Sequence, residues 1–139
     1  MYRKILLAAD GSQHSKRAAE NAILLADGNP YAKIEIVYVV DHNKVKSDVL
    51  ENWNVPDIGD SRRFRLREIE KRVRDSGIVY ELIFLHGDPG PTIVSYANKN
   101  QFDIVIIGSR GLNVLQEFVL GSVSHKVAKR ANCPVLIVK

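Results

Sequence analysis

Apolar residues along the chain follow two rhythms. Four short runs are nearly continuous, at residues 5–9, 34–40, 104–107 and 135–138. Unbroken hydrophobicity over so few residues predicts strands covered on both faces, as in parallel sheets. A fifth run, 79–85, alternates in part and suits a sheet edge. Between these runs the apolar positions switch to helical spacing. Residues 15–26 place Ala18, Ala19, Ala22, Ile23, Leu25 and Ala26 on one broad face, with Ser12 and Ser15 as candidate N-caps and Gly28 as a stop. Residues 61–76 do the same with Leu66, Ile69 and Val73 before Gly77. Residues 91–100 open on a proline, where the missing N–H is not needed. Residues 122–131 turn Val123, Val127 and Ala128 inward and stop ahead of Pro134.

Strands that alternate with helices predict a parallel sheet wrapped by helices on both faces. In such open sheets, ligands sit beyond the carboxyl ends of the strands, where the winding direction reverses. With strand order 3-2-1-4-5, two turns meet there. One is Ala9-Asp10-Gly11-Ser12, after the first strand, and the other is Gly108-Ser109-Arg110-Gly111, after the fourth. One interval breaks the pattern. Residues 42–60 contain Trp53, Pro56 and Gly59 and lack periodicity beyond Val49, with room for a short helix near 45–52. Connections of this length often serve as lids.

Composition narrows the function classes. The 139 residues suit one domain, 45% apolar and 26% charged, within the ordinary range for a globular chain. No apolar stretch nears the roughly 20 residues that span a bilayer. The basic start ahead of Ile5 is followed by too short an apolar run for a leader, since Asp10 interrupts it. A single cysteine, Cys133, excludes an intramolecular disulfide and makes a cytoplasmic location the simplest expectation. It reads as a small core residue. The four histidines, His14, His42, His86 and His125, show no metal-ligand spacing.

The net charge is +4, and one segment carries a surplus of that size. Between Arg62 and Asp75 stand Arg62, Arg63, Arg65, Arg67, Lys71, Arg72 and Arg74 against Glu68, Glu70 and Asp75. Such a face attracts polyanions, although a solvated helix face is the ordinary reading of a charge-rich helix. Only Phe64 offers a base-stacking ring there, so nucleic acid is not the expected partner.

The chemistry concentrates in the second turn and the segment after it. Gly108 and Gly111 are separated by two residues, nine residues follow, and Gly121-Ser122-Val123-Ser124 then opens a helix. Glycines let backbone N–H groups approach phosphate oxygens, and a helix start offers free donors and partial positive charge. Ser122 and Ser124 add hydroxyls, and Arg110 adds charge. Neither a P-loop nor a dinucleotide G-x-G-x-x-G is present. Within the spacer, Glu117 is the sole acidic residue, and a solvent-facing charge is its plainer reading. Binding, or at most slow Mg²⁺-dependent hydrolysis, fits better than rapid catalysis.

The full G-x2-G-x9-G-S pattern with its trailing V-S resembles the ATP-binding branch of the universal stress protein family. The opening strand and turn through Ser12, Gly87-Asp88-Pro89, and Cys133-Pro134-Val135-Leu136-Ile137-Val138 resemble the family's other signatures. The similarity covers residues 1–139 as one domain, apart from 42–60. It implies an adenine nucleotide alpha hydrolase-like fold and a nucleotide site. Ala8, Ala9, Asp10, Gly11 and Ser12 would lie at the nucleoside end, with Val39 meeting adenine through its backbone. Gly108, Ser109, Gly111, Gly121, Ser122, Val123 and Ser124 would surround ribose and phosphates, and Mg²⁺ would bridge phosphate oxygens. An aspartate before a helix is equally an ordinary cap, so Asp10 alone decides nothing. The last strand, at an apolar edge, suggests a homodimer paired through 135–138, and the resemblance implies the same. It also implies a stress or signalling role exerted through an unknown protein partner.

Overall fold

The computed structural model describes residues 2–41, 58–111 and 120–139. The elements are β1 (Lys4–Ala8), α1 (Gln13–Ala26), β2 (Lys33–Val40), α2 (Ile58–Asp75), β3 (Val79–His86), α3 (Pro89–Lys99), β4 (Ile104–Gly108), α4 (Ser122–Arg130) and β5 (Val135–Val138). The five strands form one parallel sheet in the order β3-β2-β1-β4-β5. Sheet order and the edge position of β3 match the sequence reading. The helix expected near 45–52, Trp53 and Glu117 lie outside the described residues.

The central strands are apolar throughout because helices cover both sides. On one face, Ile5, Leu7, Ile34, Ile36, Ile104 and Ile106 meet the alanine face of α1 and Leu66, Ile69 and Val73 of α2. On the other, Leu6, Val37, Val105 and Ile107 meet Ile93 and Ala97 of α3 and Val127 of α4. Alternate residues of each strand therefore feed opposite cores, which a continuous run allows and an alternating one would not. Ala128, expected inward, is exposed, since Val127 occupies the buried stripe.

Helix starts sit slightly upstream of the apolar patterns. Ser12 is the N-cap of α1, its Oγ accepting the Ser15 N–H at 3.2 Å. Ser15, the other candidate cap, is buried within the first turn. Asp88 precedes α3 with Pro89 in its first turn. One charge is buried in the second core. Glu35 of β2 is 5% exposed, and Tyr96 of α3 donates its hydroxyl to Glu35 Oε1 at 2.6 Å. Burial, with this bond second, raises the Tyr96 phenol above its ordinary range. Cys133 packs half-buried against the same core, and burial pushes its thiol up, away from a reactive thiolate.

Candidate functional site

Because all five strands run parallel, their carboxyl ends share one rim. From β1 the sheet continues to β2 on one side and β4 on the other, which places the reversal of winding at the end of β1. A cleft of about 330 Å³ opens at that point. Its floor comes from the ends of β1, β2 and β4, including Ala8, Val39, Ile107 and Gly108. The volume lies in the range of small-molecule sites.

Of the residues nominated from sequence, Ala8, Ala9, Asp10, Val39, Gly108, Arg110, Gly111, Gly121, Ser122, Val123 and Ser124 line the cleft. Gly11, Ser12 and Ser109 do not; they form the scaffold behind it. Gly11 has φ +86°, a left-handed conformation that L side chains resist. A Cβ there would stand 2.9 Å from the Arg65 carbonyl oxygen, so the glycine admits α2 rather than a ligand. Ser12 is occupied as the α1 cap, and its N–H donates to Asp10 Oδ1 at 2.9 Å.

Ser109 is 5% exposed and ties four elements together. Its N–H donates to the Val138 carbonyl at 2.7 Å, reaching β5. Its carbonyl accepts the Gly121 N–H and the Ser124 hydroxyl, each at 2.8 Å. Its Oγ lies 3.2 Å from His14 Nδ1, reaching α1. These bonds draw the two halves of the glycine pattern together. They also give the Ser124 hydroxyl a carbonyl partner, leaving that hydroxyl to hold the loop rather than to donate to a ligand.

The start of α4 is the polar wall of the cleft. Gly121 is its N-cap, and no side chain caps the helix. The first-turn N–H groups of Ser122, Val123 and Ser124 have no carbonyl one turn back within the helix to bond. All three residues line the cleft, so donors and the positive helix end face into it. Asp10 lines the same cleft against Gly111, where a Cβ would lie 2.5 Å from Asp10 Oδ2. Any side chain at 111 would displace that carboxylate.

Sequence reasoning missed Tyr38, Val40, Asp41, Pro89 and Ile93 in the lining, along with Arg65 of α2. The basic face assigned to 62–74 is also less uniform than its composition. Arg72 pairs with Glu20 at 2.5 Å and Lys71 with Asp75 at 2.6 Å, while Arg65 lines the cleft. A signal was available for the floor residues. In a parallel sheet, the last residues of each strand reach the rim, so Tyr38 to Asp41 follow from strand order once Val39 is nominated.

The universal stress protein family model matches residues 1–139. The universal stress protein YxiE of Bacillus subtilis is 32% identical over 162 aligned residues, covering all of both chains. The solved structure of MJ0577, titled as a structure-based assignment of biochemical function, superposes with a TM-score of 0.86. It is 31% identical, covering 100% of this chain and 96% of its own; MJ0577 comes from Methanocaldococcus jannaschii. A universal stress protein solved in complex with cAMP is 27% identical, with a TM-score of 0.70 over 99% of this chain and 97% of its own. With its sheet order, its cleft and these matches along its full length, the chain belongs to the universal stress protein family.

Proposed function

We propose that the protein binds an adenine nucleotide, ATP in the first instance, in the cleft at the end of β1, and acts as a nucleotide-dependent stress-response or signalling protein. The observation that carries this reading is the uncapped start of α4, with its first-turn residues lining a cleft at the sheet's winding reversal. The cAMP complex of a relative supports a nucleotide as the ligand class. Asp10 and the backbone near Val39 hold the nucleoside end in this reading, and the 108–111 turn and α4 hold the phosphates. Among the described residues no three His, Cys, Asp or Glu side chains group as a metal site. Any Mg²⁺ would accordingly be held through the phosphates.

The reading is one of binding rather than turnover, with action passed to a protein partner in the cytoplasm. β5, whose four residues are half-buried at a sheet edge, is the proposed seam of a homodimer. The test is mass spectrometry of small molecules released on denaturing the purified protein, joined to calorimetric titration with ATP. Released adenine nucleotide or micromolar-range binding is expected. Failure of both sinks the reading.

A further inference from the structure

The cleft has a cationic residue that its family pattern does not contain. Arg65 comes from α2, on the opposite face of the sheet from α4, and lines the cleft beside Asp10 and Arg110. Its place is fixed by its neighbours. Leu66, the next residue, is 0% exposed in the core under α2, and the Arg65 backbone lies against Gly11 at the β1–α1 turn. Arg65 itself is exposed.

Charge partners along α2 and α1 make the position unusual. Where the two helices cross, charges are matched: Arg72 grips Glu20, and Lys16 meets Glu68 at 2.7 Å. The side chains of Arg65 and Arg110, by contrast, make no ion pair or hydrogen bond with any described residue. Exposed arginines elsewhere on α2, such as Arg67, share that lack of a partner but do not line the cleft. Asp10 and Asp41 line the cleft as well, so the positive charge is local to the two guanidinium groups, and a concave, partly apolar site strengthens such a local attraction for anions.

Resting on the nucleotide reading above, and because Asp10 beside Gly11 stands against Gly111 of the turn that holds the phosphates, we infer that Arg65 contacts the phosphate end of the ligand, and that with Arg110 it makes the cleft favour nucleoside polyphosphates over cyclic monophosphates and uncharged nucleosides. A guanidinium presents a planar fork of donors that matches a phosphate's paired oxygens. A cyclic monophosphate carries one negative charge and satisfies a single guanidinium, whereas a polyphosphate satisfies both. The ligand is then gripped from both faces of the sheet, by α4 on one side and α2 on the other.

The test is titration of the full chain with ATP, cAMP and adenosine, for the unaltered protein and for Arg65→Ala, Arg65→Lys and Arg67→Ala. Arg65→Ala should weaken ATP about tenfold, a typical consequence of losing a charged hydrogen bond. It should leave adenosine within about twofold, since no charge is lost to it. Arg65→Lys should recover part of the ATP loss, and Arg67→Ala should match the unaltered protein. Equal losses for ATP and adenosine would place Arg65 against the base or sugar and overturn the inference. No loss of ATP affinity in Arg65→Ala would overturn it as well, while leaving the nucleotide reading standing. An unaltered protein that takes up none of the three ligands would bring down that reading and this inference together.

Discussion

At the β1–α1 turn the polar groups answer one another. Asp10 accepts the Ser12 N–H, Ser12 caps Ser15, and Ser15 Oγ accepts the Gly11 N–H. At the start of α4, Gly121 brings no capping side chain, and the hydroxyl of Ser124 is turned back to Ser109 and Gly121. Both are glycine–serine turns at the same rim of the same sheet. In the first, Gly11, Ser12 and Ser15 close on one another and serve packing, while the second turns the first-turn donors of α4 toward the cleft. Composition does not separate them; hydrogen-bond partners do. Glycine at position 11 admits a helix, and glycine at position 121 leaves a helix end bare.

The largest way to break this contrast is to fill the open turn. Gly121→Val combined with Ser122→Val should lower ATP affinity more than about 100-fold while leaving the far-UV circular dichroism unchanged, because several charge-assisted bonds are lost together. Filling the closed turn should do the reverse. Gly11→Ala meets both a positive φ and the Arg65 carbonyl, and should cost about 2 kcal/mol of stability in denaturant unfolding. A sharper pair compares the serines. Ser12→Ala should cost about 1 kcal/mol by loss of the cap and leave ATP affinity within about twofold. Ser122→Ala should weaken ATP a few-fold, by about 0.5–1 kcal/mol, and leave the unfolding midpoint in place.

The smallest effect is expected at the opposite rim. The Asp103 carboxylate accepts the Lys4 and Arg3 N–H groups at 2.9 Å each, and these bonds lower its pKa. A carboxyl whose pKa is lower folded than unfolded contributes stability above the unfolded value, and loses it as pH falls through the folded one. Stability should therefore slope downward below about pH 4, the ordinary aspartate value. Asp103→Asn should flatten part of that slope and shift ATP affinity by less than about twofold, since the ligand lies at the other rim. Unfolding monitored across pH 2.5–5, about the window spanning the titration, reads both.

How far the sequence reaches depends on how local each feature is. Strand order and the position of the cleft were legible because continuous apolar runs and an alternating element order leave few topologies. Ser12 was legible as a cap because its partner is three residues away. Arg65 was not, since a helix rich in arginine reads as a solvated face, and its approach to Gly11 joins residues far apart in sequence. The structural ties of Ser109 were hidden for the same reason. Its contacts with His14, Val138 and Gly121 span most of the chain, and nothing in its local pattern tells a scaffold serine from a ligand-binding one.

The bond from the Gly121 N–H to the Ser109 carbonyl also bears on how such a site can change over time. That carbonyl also accepts the Ser124 hydroxyl, so the start of α4 is clasped twice to the single peptide that follows β4. A substitution at either turn is therefore answerable to the clasp as well as to any ligand.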